Sequence, residues 1–336
     1  MRKGNELKAD AVFEGGGVKG IGHVGAVAVA EELGYQWVNV AGTSAGAIVA
    51  ALLAAGYSAA EIKGILLDLD YRKFKDASAL DKVPLVGPMA SLTFEKGIYE
   101  GQFFEDWIRE LLLKKNIETF GDLIIKEYKN DERYCFKLRV IASDISRGRL
   151  LVLPQDIAYY GVRPEDLNVA AAIRMSMSIP FFYEAVPLKN MRTNQVSYIV
   201  DGGILSNFPV WLFDVEGKPQ WPTFGFKLVE PEEGAPHRVR GLISLLTALF
   251  ATMLEAHDAR YIENGDFIRT IPIPTLGVKT TQFNISREES EELYKSGRQA
   301  AEDFFDRWDF DKYVTKYRIG EPEIRRSLSV WQDCGE

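Results

Sequence analysis

Apolar and polar positions along this chain fall into short blocks whose period switches between that of a strand and that of a helix. Ala9 to Phe13 is a brief apolar run that stops at Glu14 and three glycines, and Ile21 to Leu33 then carries apolar residues at helical spacing up to Gly34. Trp37 to Ala41 is a second short strand, closed by Gly42-Thr43-Ser44-Ala45-Gly46. Ala47 to Ala55 predicts a helix that is apolar all round, and a helix without a polar face is a buried one. Two strand-to-helix units in close succession predict a parallel sheet wrapped by helices.

The pattern continues less regularly. Ala59 to Leu69 predicts a helix, whereas Ser78 to Tyr99 scatters Pro84, Gly87, Pro88 and Gly97 among Leu85, Val86, Met89, Leu92 and Phe94. That stretch reads as a long apolar loop, either an ordinary connection packed on the core or a cap over an apolar site. Gln102 to Lys115 predicts an amphipathic helix, Tyr134 to Ala142 and Arg149 to Leu153 predict strands around an Arg147-Gly148 turn, and Pro164 to Ser176 predicts a helix. Val196 to Val200 is an apolar strand running into Asp201-Gly202-Gly203, and Thr223 to Val229 is another strand. Leu242 to Ile262 and Ser286 to Trp308 predict long helices. No internal repeat or linker interrupts the chain.

Composition narrows the class. With 336 residues, 46% of them hydrophobic and 26% charged, the chain is globular and long enough to bury its own core. Forty Lys plus Arg against 48 Asp plus Glu give a net charge of -8 without any basic run, which argues against a nucleic-acid partner and against electrostatic capture by anionic membranes. The two cysteines, Cys135 and Cys334, form neither a disulfide framework nor a zinc spacing. The charged N-terminal stretch is unlike a secretory signal. The longest charge-free stretches, Val40 to Ala60 and Gly241 to Leu254, are respectively glycine-broken and too short to span a bilayer, so a cytoplasmic location is expected.

Three groups of residues carry chemistry. Gly42-Thr43-Ser44-Ala45-Gly46 fits the G-x-S-x-G nucleophile elbow, with a strand before it and a helix after it whose N-terminal partial charge favours a developing oxyanion; bare turn chemistry is the other reading. Glu14-Gly15-Gly16-Gly17-Val18-Lys19-Gly20 lies between a strand and a helix and exposes consecutive backbone N–H groups. Gly15, Gly17 and Gly20 satisfy a dinucleotide fingerprint literally, but the second strand ends at Gly42 rather than at an acidic residue able to hold a ribose. The alternative is an oxyanion hole beside the elbow. Lys19 reads as a structural or solvated charge and His23 as a packed helix residue.

A serine nucleophile needs a base, and the chain has three histidines, His23, His237 and His257. The order Ser44, Asp201, then His237 or His257 is formally that of an α/β-hydrolase triad, but both late histidines lie in surface-like surroundings and only one strand precedes the elbow. Asp201, at a strand end beside Gly202 and Gly203, is the better candidate for the base, a plain Asp-Gly turn being the other reading. Its reference pKa of about 3.9 is low, and partial burial would raise it.

The order Gly-Gly-Gly-Val-Lys-Gly, Gly-Thr-Ser-Ala-Gly and a distant Asp-Gly-Gly resembles the patatin-like phospholipase family over residues 10 to 215. Arg174 to Pro180, followed by Phe181-Phe182, and the run Asp201 to Pro209 are familiar from the same family. The resemblance implies a three-layer α/β/α fold with a mostly parallel central sheet, with residues 8–215 as the catalytic domain and 216–336 completing or extending it. It implies lipid acyl-ester hydrolysis without cofactor or metal. Ser44 would be the nucleophile, Asp201 the base, Gly15, Gly16, Gly17 and Val18 the oxyanion hole, Gly42 and Gly46 the elbow, and Gly202 and Gly203 the turn after the base; Asn207 and Pro209 would shape that turn. Glu14 replaces the aspartate often found before the glycines in plant members. The expected partner is a phospholipid or other fatty-acyl ester met at a membrane surface, with Leu85 to Phe94 and Leu242 to Met253 as candidate groove walls. Two other classes stay open at this point: a catalytically silent or activator-dependent lipid-binding module and, more remotely, a dinucleotide-binding oxidoreductase.

Overall fold

The computed structural model describes residues 7–74, 101–231, 264–280 and 282–318, together with positions 245, 248 and 252. The loop expected over Ser78 to Tyr99, His237, His257 and all but three positions of the helix expected over Leu242 to Ile262 lie outside the described residues. So do both candidate groove walls, apart from those three positions.

The chain opens as its pattern predicts. Strand β1 (Leu7–Phe13) leads through the glycine loop into helix α1 (Ile21–Glu32), and β2 (Tyr35–Thr43) leads into α2 (Ala45–Ala54). Every residue of α2 is buried, as an all-apolar helix requires. Helix α3 (Ala59–Leu67) starts at Ser58, whose hydroxyl and the Glu61 carboxylate cap each other's backbone. Amphipathic α4 (Gln102–Leu113) precedes β3 (Leu138–Asp144) and β4 (Arg149–Leu153). Helix α5 (Val169–Ser176) is shorter than the apolar spacing suggests, because Pro164–Asp166 forms a separate 3-10 turn and Asn168 caps a new helix through the Ala171 N–H. Strands β5 (Val186–Lys189), β6 (Val196–Asp201) and β7 (Thr223–Val229) follow, then α6 (Asn264–Ile268), β8 (Thr270–Pro274), α7 (Arg287–Phe305) and α8 (Phe310–Tyr317).

The eight strands among the described residues join one sheet, in the order β5-β6-β3-β2-β1-β7-β8 with β4 on β3. The β3–β2, β2–β1, β1–β7 and β7–β8 pairings are parallel, and those of β4 and β6 with β3 and of β5 with β6 are antiparallel. Residues of alternating parity separate the two faces. Ala11, Phe13, Val40 and Val140 pack with the helices, while Val12, Ala41 and Ile141 pack against Leu212 and Phe213 on the other side.

Strand β8 escapes the sequence pattern for a physical reason. Gly225 N–H reaches the Arg269 carbonyl and Thr275 N–H reaches Val229, so odd-numbered positions of this strand face β7 and even-numbered ones face outward. Pro272 and Pro274 occupy outward positions, where no N–H is needed. The same prolines that hide the strand from sequence reading deny the sheet edge its donors.

The placement of β3 organises the site. Its residues 138–141 pair with β2 and residues 142–144 pair with β6, while β4 runs along 140–144. Because β4 takes one flank, β2 and β6 must share the other. They meet there head to head: Thr43, the last residue of β2, lies opposite Ile141, and Asp201, the last residue of β6, lies opposite Ala142.

Candidate active site

Ser44 sits between β2 and α2 with φ 53° and ψ −127°, a conformation an L-residue adopts only under constraint. The small neighbours are dictated by close approach. A Cβ on Gly46 would lie 2.3 Å from the Phe13 carbonyl oxygen, and one on Gly42 would lie 2.3 Å from the Gly46 backbone. The first turn of α2 therefore presses directly on the end of β1, and the serine is forced out of the turn at the N-terminal, partially positive end of a buried helix. The Ser44 carbonyl accepts from the Ala47 N–H at 2.9 Å, and the Ser44 N–H donates to the Ser176 hydroxyl oxygen at 2.8 Å.

Asp201 is 1% exposed and Ser44 5%. One carboxylate oxygen, Oδ1, accepts the Gly203 N–H at 2.8 Å, while Oδ2 is buried and has no hydrogen-bond partner among the described residues. Burial pushes the Asp201 carboxyl up to about 7, against the opposing pull of the neighbouring Ser44 hydroxyl and the Gly203 amide. The Ser44 hydroxyl is near enough to stabilise the carboxylate, yet it is turned to the Met177 thioether, to which it donates at 3.4 Å.

The glycine loop lies against this pair: a methyl group on Gly15 would stand 3.2 Å from Ser44 Cβ. Of the four backbone groups expected to face an oxyanion, the Gly15 N–H is bonded to the Asn207 carbonyl and the Val18 N–H to the Thr280 carbonyl, both at 3.2 Å. The N–H groups of Gly16 and Gly17 have no acceptor among the described residues. Gly17 has φ 56°, and a side chain there would meet the Thr280 carbonyl oxygen at 2.0 Å. Asn207 returns the contact by donating its side-chain amide to the Gly15 carbonyl at 3.3 Å, so the turn after Asp201 and the glycine loop are tied in both directions.

Glu14 and His23 hold the loop from below. The Glu14 carboxylate accepts the Leu228 N–H at 2.6 Å, which anchors the loop to β7. His23 is fully buried, pushed down to about 4 by desolvation and hence neutral, and its Nε2 donates to the Glu14 carbonyl at 2.9 Å. It therefore does not serve Ser44, whose hydroxyl it does not contact. Lys19 is likewise structural, paired with Glu230 at 2.8 Å.

Sequence reasoning passed over three residues in a row. Ser176 binds the Ser44 N–H, Met177 receives its hydroxyl, and the Ser178 carbonyl accepts the Asp201 N–H at 2.9 Å. The run Arg174 to Pro180 is visible as a segment, but two serines and a methionine at a helix end carry no periodic or motif cue to such roles. A groove of about 800 Å³ between β8, α7 and α8, floored by Phe304, Trp308 and Tyr313, shares no residue with this constellation.

Comparison with known proteins gives a consistent picture. The family model described as patatin-like phospholipase matches residues 11–214. The Bacillus subtilis (strain 168) protein YqhO is 41% identical over 303 residues, covering 90% of this chain and 99% of its own. Protein R571 of Acanthamoeba polyphaga mimivirus is 23% identical over 302 residues, covering 85% of this chain and 89% of its own. Among solved structures, VipD from Legionella pneumophila superposes with a TM-score of 0.53 at 20% identity, covering 90% of this chain and 67% of VipD, a likeness of fold.

Proposed function

Since this chain belongs to the patatin-like phospholipase family, whose members are lipid acyl hydrolases, we propose that it cleaves fatty-acyl esters of the phospholipid or lysophospholipid type through Ser44 and Asp201. The observation that carries the reading is the meeting of a constrained serine with a buried carboxylate whose Oδ2 has no hydrogen-bond partner among the described residues. In the first half-reaction Ser44 Oγ attacks the acyl carbonyl and gives its proton to Asp201 Oδ2. The carbonyl oxygen takes up negative charge opposite the Gly16 and Gly17 amides and the N-terminus of α2. Collapse of the tetrahedral adduct returns the proton to the departing alcohol and leaves acyl-Ser44. Water, deprotonated by Asp201, then releases the fatty acid.

A carboxyl raised to about 7 suits this role, because at neutral pH it is partly ionised yet far more basic than an exposed aspartate. No helix among the described residues is long and apolar enough to cross a membrane, so contact with lipid is proposed to be peripheral. Phe181, 37% exposed three residues beyond Ser178 and held at φ 71°, offers an apolar contact near the site.

The test is intact-mass analysis after a fluorophosphonate probe, with fatty-acid release from phosphatidylcholine and lysophosphatidylcholine dispersions measured in parallel. A single adduct that disappears in Ser44→Ala, with release lost in both Ser44→Ala and Asp201→Asn, is expected. A wild-type protein that takes up no probe and releases no acid in the presence of lipid would sink the assignment.

A further inference from the structure

We propose that Ser176 is a positioning residue of the reaction: its hydroxyl oxygen holds the Ser44 backbone in the constrained conformation that presents the nucleophile to Asp201. The inference rests on the assignment of Ser44 as nucleophile and adds a residue to its machinery.

A buried backbone N–H at the nucleophile's position needs an acceptor. Up to Thr43 the chain is paired with β3, but at Ser44 it leaves the ladder, and the flank of β3 beyond Ile141 is taken by β6. The Ser44 N–H is thus a buried donor without a strand partner. An unpaired buried amide would favour a relaxed turn with negative φ, in which the group could find another acceptor. Ser176 supplies that acceptor from a different element, at 2.8 Å and with no exposure to solvent.

The acceptor is itself held firmly. Ser176 is the last residue of α5, and the turn after it is fastened by Arg174, which donates to Ser178 Oγ and, at 3.2 Å, to the Glu184 carbonyl. Ser178 Oγ in turn donates to the Arg174 carbonyl at 2.7 Å. Because the Ser178 carbonyl binds the Asp201 N–H, the same turn fixes both members of the dyad relative to each other. The role requires an acceptor of the size of a hydroxyl oxygen. Alanine has none, cysteine offers only a weak one, and threonine retains it.

The experiment is single-turnover labelling with a fluorophosphonate, recording for each variant the fraction that is labelled and the rate constant at saturating probe. The labelled fraction counts folded molecules, whereas the rate constant reports the competence of the elbow within them. Ser176→Ala and Ser176→Cys are expected to label nearly to completion but about ten- to a hundredfold more slowly, the effect of losing one buried hydrogen bond at the reacting centre. Probe affinity should be unchanged, and Ser176→Thr should restore the rate. A wild-type rate in Ser176→Cys, or variants that lose labelled fraction while the remaining molecules react at the wild-type rate, would overturn the proposal and leave Ser176 a packing residue. Failure of the wild type to label at all would instead remove the underlying assignment of Ser44.

Discussion

Replacing Asp201 by Asn should abolish turnover and, above neutral pH, make the protein more stable. The carboxyl rises from 3.8 to about 7 on folding because ionising it means leaving a charge in a site sealed from water. At about 1.36 kcal/mol per unit, that displacement amounts to about 4 kcal/mol of stability lost by the wild type at alkaline pH. The sign follows from the direction of the shift. A group whose pKa is raised in the folded state contributes fully only below its unfolded value, and that contribution is lost as pH rises through the folded one. Asparagine does not titrate and keeps the oxygen that accepts the Gly203 N–H, but it places an amide NH2 where Oδ2 has no partner, at a cost of about 1–3 kcal/mol. The net gain at pH 8.5 is then about 1–3 kcal/mol, or roughly 1–4 °C in Tm for a chain of this length. Near pH 5, where the folded wild type keeps its proton, the advantage should vanish or reverse.

The assay is thermal unfolding of both proteins from pH 5 to 8.5, alongside the pH dependence of fatty-acid release by the wild type, which should rise with an apparent pKa near 7. Asp10, a second buried carboxyl pushed up to about 7 by desolvation, is present in both proteins and cancels in the difference. Parallel Tm curves across the whole range would mean instead that Asp201 titrates alike in the folded and unfolded chain, and the predicted stabilisation would fall with them.

Two further substitutions probe the scaffold. Gly46→Ala should eliminate probe labelling, because its methyl would lie 2.3 Å from the Phe13 carbonyl oxygen and 2.6 Å from that of Glu14; an active Gly46→Ala protein would contradict the packing of α2 on β1. Arg269→Met should lower stability by about 1.5–3 kcal/mol, read as a fall in the urea midpoint. Arg269 is 1% exposed, holds Asp214 through both terminal nitrogens and also binds Asp266, whereas Arg318 keeps a second hold on Asp214, so the substitution removes the buried cation and its charge-assisted hydrogen bonds; an unchanged midpoint would show that they add nothing.

The elements with a strong local pattern were legible from the chain alone. The strand, glycine loop and helix of the first unit, the elbow of the second, and the strand running into Asp201 are legible because periodicity and small-residue turns are local properties of the chain. Motif order carried the family. Which of these pieces touch is set by the fold. Ser44 and Asp201 are brought together because β2 and β6 share one flank of β3, and strand neighbours are a matter of topology that a period of two does not encode. The bracket of Ser176, Met177 and Ser178 stayed hidden because a serine at a helix end is unremarkable until the amide it accepts from is known. Strand β8 stayed hidden because Pro272 and Pro274, adverse to a strand in general, are harmless on an outward edge. The shift of Asp201 likewise belongs to the fold: desolvation depends on what surrounds a carboxyl from every side, and the residues that seal it come from segments far apart in the chain.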